Sequence, residues 1–313
     1  MSAANHPTRQ ITRLPVGTLL SGQDISLAVH RLVGTQPGPS LGLVGGVHGD
    51  EPLSVELVRR VLGALESLPL RGSVTAIPCA NPLAFQSLLR NTPTDMLDLN
   101  RVFPGDPDGA FTHQMAFTIQ RVLREQCEYL IDFHCGGLFP TVDYVFLQGD
   151  DEDFGRSIGS RVLYAGSPHK GSVSDCLRQA GLHTMVVETG GGPTGGEPYI
   201  QKAIAGVANV LRAIGMLDGE VLVRSDQLIV SELKIIRPHE GGLLISSVGL
   251  EELGEVVSGT HELGRILHTQ TFQELEVLVT PFEKSVFILV RAGFSPVGSG
   301  DIAYILGNAS SIP

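Results

Sequence analysis

The chain is short of basic residues, and it lacks a long apolar run. Its 22 Lys and Arg are outnumbered by 33 Asp and Glu, which gives a formal net charge of −11. Nucleic acid and anionic membranes need a basic surface, so neither is an expected partner. No stretch approaches the roughly 20 apolar residues of a membrane-spanning helix, and the N-terminus has no basic patch followed by an apolar segment. We therefore expect a soluble, cytoplasmic protein.

Cysteine is also scarce, and the cysteines do not have the spacing of a disulfide framework or a metal-binding pair. The four cysteines lie at positions 79, 127, 135 and 176 and form no C-x-x-C pair. They are expected to be free and buried, as unpaired cysteines usually are. Cys135 directly follows a candidate metal ligand. Because neighbouring strand residues point to opposite faces, we expect it not to bind the metal.

The chain has 313 residues, of which 42% are apolar. Strand and helix patterns alternate in its first part, and the helical patterns disappear in its last part. Residues 1–13 look like a ragged polar terminus, residues 14–33 like a hairpin and Thr35–Ser40 like a loop. Buried strands and amphipathic helices then alternate as far as Leu217, which predicts an α/β fold. Beyond Gly219 short strands alternate with turns, so we predict two domains, 1–218 and 219–313.

The first of these buried strands ends in a turn that carries two candidate metal ligands. Leu41–Val44 is short and apolar, and Leu53–Glu66 has the apolar spacing of one helical face. His48 and Glu51 lie in the glycine-rich turn between them. Imidazole and carboxylate are ligands that zinc accepts, and a catalytic zinc usually has three protein ligands.

Two further strand-like runs also end in a polar residue followed by glycines. Tyr129–Gly137 contains His134, and His183–Gly192 contains Glu188. Sites in open α/β sheets form at the carboxyl ends of strands, so these residues are expected to meet His48 and Glu51. His134 is the candidate third ligand. Cobalt, manganese or iron would also suit such ligands.

A proline-containing stretch without periodicity, residues 83–108, is predicted to be a long ordered loop. Loops of this length inside a compact domain are usually functional. This one carries Arg90, Asn100 and Arg101. The planar fork of arginine suits a carboxylate, although surface ion pairs are the alternative interpretation for both arginines. Asp98 is expected to orient the loop or a ligand.

Taken together, these motifs resemble the succinylglutamate desuccinylase and aspartoacylase family, relatives of the zinc carboxypeptidases. The resemblance covers roughly residues 40–215. It rests on a Gly-x-His-Gly-Asp-Glu turn, an Asn-Pro pair, an Asp-Leu-Asn-Arg-Val-Phe-Pro-Gly segment, an Asp-Phe-His triplet and a Glu-Thr-Gly-Gly end, at residues 46–51, 81–82, 98–105, 132–134 and 188–191.

The resemblance implies a zinc-carboxypeptidase-like mixed sheet flanked by helices, with a smaller C-terminal all-β domain of barrel-sandwich type. It implies one Zn²⁺ per subunit, held by His48, Glu51 and His134. It further implies that Glu188 acts as general base, that Arg90 polarises the scissile carbonyl and that the pair Asn100–Arg101 holds a substrate carboxylate.

The expected function is therefore hydrolysis of the amide bond of a small N-acyl amino acid or related N-acyl amine that bears a carboxylate. Two alternatives remain open: a metallocarboxypeptidase acting on short peptides, and a catalytically inactive zinc-dependent protein that binds a metabolite. The sequence leaves open the acyl group, the amine and the oligomeric state, a homo-oligomer included. It provides no positional argument for placing His169 or Lys170 in the site.

The C-terminal stretch resembles the small β domain appended in many family members, which has a topology similar to biotin and lipoyl carriers. It has no exposed lysine flanked by methionine or acid at a hairpin tip, so covalent carriage is not expected. His239, His261 and His268 are predicted to be surface residues.

Overall fold

The computed structural model describes residues 6–147, 151–166, 169–192 and 196–310. Helices and strands alternate through its first two thirds, and strands dominate the rest. The helices are α1 Pro52–Leu65, α2 Pro82–Ser87, α3 Phe111–Gln126, α4 Glu152–Ser157, α5 Val173–Gln179 and α6 Glu197–Ala213. The strands are β1 Thr8–Thr18, β2 Asp24–Val33, β3 Gln36–Val44, β4 Arg71–Ile77, β5 Tyr129–His134, β6 Thr141–Phe146, β7 Val162–Tyr164, β8 His183–Gly190, β9 Leu228–Val230, β10 Leu233–Ile236, β11 Gly242–Ser246, β12 Val256–Ser258, β13 Glu262–Leu267, β14 Glu274–Val279, β15 Lys284–Val290, β16 Phe294–Val297 and β17 Tyr304–Asn308.

A large mixed sheet forms the centre of the molecule, with strand order β1-β2-β4-β3-β5-β8-β6-β15-β17-β10. Its middle strands β4, β3, β5 and β8 are parallel, whereas β2 and β6 run antiparallel to their neighbours β4 and β8. The α/β mixed-sheet prediction is confirmed. Because parallel strands end at the same edge of a sheet, the turns after β3, β5 and β8 lie side by side.

Helices cover both faces of this sheet and create two apolar cores. On one face α1 and α6 pack together over residues such as Leu43 and Ile131. On the other, α3 and α5 pack over residues such as Val44 and Leu130. Neighbouring residues of one strand thus enter different cores, as the two-residue period of a strand requires. In the described ranges no helix is long and apolar enough to cross a membrane.

The C-terminal part forms a separate antiparallel sheet with strand order β14-β13-β11-β16. Leu244, Leu263 and Tyr304 help to fill its own core. Strands β10, β15 and β17 instead extend the central sheet, which they join where Leu289 pairs with Thr141. The predicted all-β C-terminal region is confirmed.

Two local predictions near the N-terminus are wrong. The stretch 1–13 is not ragged as far as residue 13, since β1 begins at Thr8 and pairs with β2. Residues 35–40 are not simply a loop, because β3 begins at Gln36. The ladder between β3 and β4 shifts register between Gln36 and Ser40. Such an irregularity accommodates prolines, which cannot donate to a ladder.

Candidate active site

The ends of β3, β5 and β8 bring together the polar residues that the sequence placed after buried strands. His48 and Glu51 lie in the turn between β3 and α1, and His134 is the last residue of β5. Glu188 of β8 is the register partner of His134. Glu51 and His134 are far apart in the sequence, and the direct pairing of β3 with β5 brings them together in space.

Two imidazoles and one carboxylate form a buried group with the donor set of a metal site. Glu51 Oε1 lies 2.8 Å from His48 Nδ1, and Glu51 Oε2 lies 3.0 Å from His134 Nδ1. One candidate ligand atom from each of the three residues lies within 4.8 Å of the others. Their exposed fractions are only 2%, 5% and 3% for His48, Glu51 and His134. These three residues could hold a divalent ion.

The outer nitrogens of both imidazoles are oriented by other polar groups. His48 Nε2 lies 3.1 Å from Asp98 Oδ1, and His134 Nε2 lies 3.2 Å from Asp132 Oδ2. A carboxylate behind a histidine fixes the ring orientation and raises its basicity, a common arrangement around metal ligands. The Nδ1 atoms are therefore the ones left facing the centre of the group.

Charge within the group replaces the solvation lost on burial. Burial by itself would lower the pKa of His134, but Asp132 and Glu51 raise this pKa well above its ordinary value. Burial would raise the pKa of Glu51, yet the two imidazoles hold it well below its usual range. A divalent cation could take the place of the imidazole protons, so the electrostatics of the residues fit a metal.

The turn that carries His48 and Glu51 depends on a glycine in the left-handed region. Gly46 has φ +61°, and a Cβ there would lie 2.8 Å from Val55 and 3.0 Å from the Cα of Cys79. The Gly46 N–H donates to Ser54 Oγ, which in turn donates to the Glu51 carbonyl. These bonds tie the turn to the start of α1. Only glycine fits here without strain.

Cys135 lies next to the group but outside it. Its backbone N–H donates to Glu51 Oε2 at 3.1 Å, so the residue contributes its main chain rather than its sulfur. Burial raises the pKa of the Cys135 thiol. The cluster of candidate ligands found among the described residues does not contain it.

Arg90 reaches the group from the long loop. Its Nε donates to Asp98 Oδ2 at 3.1 Å, and Nη1 lies 3.8 Å from Glu51 Oε1. The side chain remains 45% exposed. Arg90 therefore does form an ion pair, but at the edge of the candidate metal group rather than on an unrelated surface.

Asn100 and Arg101 occupy the same side of the site. Asn100 is buried, and its Nδ2 lies 3.3 Å from His134 Nε2 while its Oδ1 accepts from the Val173 N–H. Arg101 is exposed and donates from Nη1 to the Asn100 carbonyl. Within the described parts of the chain Arg101 forms no ion pair. Its guanidinium is thus available to an anion.

Glu188 is a carboxylate with a strongly perturbed environment. Burial raises its pKa to about 7, and the nearby Glu51 charge adds to the rise while His134 opposes it. Such a group can exchange a proton near neutral pH. Glu188 shares one cavity with His48, Glu51 and His134.

This cavity is small, about 80 Å³ in volume. All seven residues that the sequence analysis proposed for the site line it: His48, Glu51, Arg90, Asn100, Arg101, His134 and Glu188. Its other lining residues are Phe146, His169, Ser172, Ser174 and Val186. Val186 could have been found from the sequence, because it lies two residues before Glu188 on the same strand face. The others follow no local signal.

His169 belongs to the site although the sequence offered no reason to include it. The Phe103 N–H donates to the carbonyl of Gly171. Gly171 has φ +78° and packs closely against the backbone of Arg101. This contact brings the loop before α5 onto the loop that carries Arg101. Burial and the charges of Arg101 and Arg90 lower the pKa of His169.

Comparisons of the sequence and of the structure with known proteins agree on one family. A family model described as the succinylglutamate desuccinylase/aspartoacylase catalytic domain matches residues 37–214, a range that contains every proposed site residue. A curated relative, an N-alpha-acetyl-L-2,4-diaminobutyric acid deacetylase from Halomonas elongata, is 27% identical over 248 residues, 73% of this chain and 72% of the relative.

Solved structures share the fold over nearly the whole chain. A succinylglutamate desuccinylase/aspartoacylase from Rhodobacter sphaeroides has a TM-score of 0.83 at 21% identity, covering 99% of this chain and 97% of that one. The product-bound ectoine utilization protein EutE (DoeB) from Ruegeria pomeroyi also has a TM-score of 0.83 at 21% identity, covering 97% and 96%.

Proposed function

Because the chain belongs to the succinylglutamate desuccinylase/aspartoacylase family, we propose that it is a zinc-dependent deacylase. Its reaction is hydrolysis of the amide bond of a small N-acyl amino acid or related N-acyl amine. The observation that carries this proposal is the meeting of His48, Glu51 and His134 with Glu188 in one cavity. The deacetylase activity named for the Halomonas elongata relative supports it.

His48, Glu51 and His134 would hold the ion, one per subunit, through two Nδ1 atoms and a carboxylate. A zinc ion bound there supplies Lewis acidity for the scissile carbonyl and lowers the pKa of a water molecule. Asp98 and Asp132 keep the two imidazoles turned toward it. This arrangement explains why a carboxylate lies behind each of the two histidines.

Glu188 is the general base of the proposed reaction. It removes a proton from the attacking water, whose oxygen bonds to the acyl carbon. It then delivers that proton to the nitrogen as the C–N bond breaks. The products are a carboxylic acid and a free amine, and no other reactant is required. A carboxylate with its pKa near neutrality is suited to both transfers.

Arg90 and the pair Asn100–Arg101 are proposed to bind the substrate. Arg90 lies beside the ligand group and would stabilise negative charge that develops on the carbonyl oxygen. Arg101, which has no ion pair among the described residues, would bind the substrate carboxylate through its planar fork. Asn100, held by Val173, would add a neutral donor on the same side.

The acyl group is proposed to be short. The cavity volume of about 80 Å³ and the apolar side chains of Phe146 and Val186 favour a compact apolar acyl group such as acetyl. We also propose a cytoplasmic location and a domain boundary at residues 218/219. The boundary is supported by the distinct core around Leu244 and Tyr304.

The proposal is tested by measuring the release of free amine from N-acetyl, N-succinyl and N-formyl amino acids, beside short peptides. Zinc-loaded and chelator-stripped protein are compared throughout. Zinc-dependent release from an acyl amino acid is expected, with N-acetyl compounds preferred. Release from peptides alone would move the assignment to a carboxypeptidase. Bound zinc with no turnover on any substrate would favour the inactive binding protein.

A further inference from the structure

A second cavity, about 400 Å³ in volume, lies on the opposite face of the central sheet. Residues of β8 alternate between the two cavities: Val186 and Glu188 line the first, whereas Val187 and Thr189 line the second. This alternation is the two-residue period of a strand. The second cavity is closed by α6, by the turn at residues 157–160 and by Leu222 and Arg224. It lies directly behind the proposed general base.

The charges of this cavity are opposite in sign to those of the whole chain. Lys202, Arg212 and Arg224 line it, and Asp143 is the one acidic residue among the described lining residues. Lys202 Nζ donates to Asp143 Oδ1 at 3.0 Å. The lining therefore carries a formal excess of two positive charges in a chain with a net charge of −11. Such a local excess favours an anionic ligand.

Arg212 is the cation with free donors. Arg224 donates to both carboxylate oxygens of Asp226, which leaves Arg224 largely occupied. Arg212, in contrast, forms neither a side-chain hydrogen bond nor an ion pair with any residue that the structure describes. Its side chain packs against Gly219, which positions the guanidinium at the cavity wall. A half-buried guanidinium with unused donors is suited to a carboxylate.

Two side-chain hydroxyls also line this cavity. Ser160 and Thr189 are 4% and 3% exposed and line the cavity. Among the described residues, neither hydroxyl forms a hydrogen bond, and neither oxygen is one of the fully enclosed unpaired atoms, so both are accessible from the cavity. Asn209 differs, because its amide already bonds to Ser157 and Leu222 and so belongs to the wall. The two hydroxyls supply donors to a ligand.

We propose that this cavity is a second ligand site that binds a small aliphatic carboxylate. Arg212 holds the carboxylate, and the hydroxyls of Ser160 and Thr189 complete its hydrogen bonds. The aliphatic part packs against the apolar lining formed by Ile158 and Val187. This apolar lining is the reason for assigning a carboxylate with a hydrocarbon chain rather than an inorganic anion.

The test is calorimetric titration of the zinc-loaded full chain with butyrate, acetate and inorganic phosphate. Arg101→Gln serves as the background, so that the carboxylate site proposed for the first cavity contributes less. Butyrate is expected to bind saturably and more tightly than acetate or phosphate. Adding Arg212→Gln should weaken butyrate binding by about 10-fold or more, as expected for loss of a charged hydrogen-bonding group.

Two further variants keep the result interpretable. Thr189→Val preserves the shape of the side chain, removes one hydroxyl and should weaken butyrate several-fold. Arg59→Gln removes an exposed arginine of α1 that pairs with Glu56 and should leave the affinity unchanged. The proposal is overturned by the absence of saturable binding, by phosphate binding as tightly as butyrate, by equal affinity with and without Arg212→Gln, or by equal losses in the Arg59 and Arg212 variants.

Discussion

Replacing Glu188 by glutamine probes the proposed mechanism most directly. The amide has nearly the same size as the carboxylate but cannot accept a proton at neutral pH. General acid–base help is worth about 10²–10⁴-fold in rate. We therefore expect kcat to fall by that factor, equivalent to about 2.7–5.4 kcal/mol of activation free energy. Zinc content should be unchanged, because the candidate ligands are His48, Glu51 and His134.

The pH dependence of this variant provides a second and independent readout. Burial raises the pKa of Glu188 to about 7, so below that pH the base is increasingly protonated. In the native protein kcat/KM should therefore rise with pH along an acidic limb whose midpoint is about 7, or lower because a bound cation favours the ionised form. Glu188→Gln has no such group and should lose this limb.

The assay is steady-state release of amine at several pH values, with zinc measured on the same samples. Glu56→Gln is the matched control, since Glu56 is a partly exposed glutamate of α1 that pairs with Arg59 away from the cavity. The control should keep native turnover. Turnover of Glu188→Gln close to that of the native protein would refute the assignment of the base. Loss of zinc along with activity would instead place Glu188 among the ligands.

Three other substitutions test separate parts of the site. Arg101→Lys should raise KM about 10-fold with little change in kcat, because lysine lacks the bidentate fork; steady-state kinetics showing a fall confined to kcat would contradict this. Asp132→Asn should weaken zinc binding about 10–100-fold in a chelator competition, since Asp132 orients His134; native affinity would argue against that role. Gly46→Ala forces a side chain into φ +61° and against Val55, so chemical denaturation should show a loss of roughly 1–3 kcal/mol, and an unchanged midpoint would refute the strain.

Much of the α/β part could be predicted because its signals are local. The apolar runs before His134 and Glu188 became β5 and β8, and the helical spacing of Leu53–Glu66 became α1. These patterns depend on burial of one face or both, which the order of residue types records directly. The loop predicted at residues 83–108 begins later than expected, because α2 extends to Ser87, and it contains a short 3₁₀ helix at Leu99–Arg101.

The errors occur where pairing overrides local composition. Residues 8–13 are mostly polar, yet they form an edge strand. Their backbone pairs with β2, and the Arg9 side chain donates a hydrogen bond to Glu66. Residues 36–40 contain two prolines, yet they start β3 because the ladder tolerates a register shift there. A sequence pattern contains no information on which neighbour a strand will find.

The residues that form the candidate metal group were recognisable in the sequence because each lies at or shortly after the end of a buried strand, in a segment that contains glycines. The partners of those residues were not. Asp98 reaches His48, and His169 reaches the cavity, through loops without periodicity whose positions depend on contacts such as Gly171 against Arg101. The cavity behind Glu188 likewise exists only because α6 packs across β6 and β8. Residue types and short spacings therefore specify which chemistry the chain can perform, whereas distances between remote segments arise from packing, which only the folded structure decides.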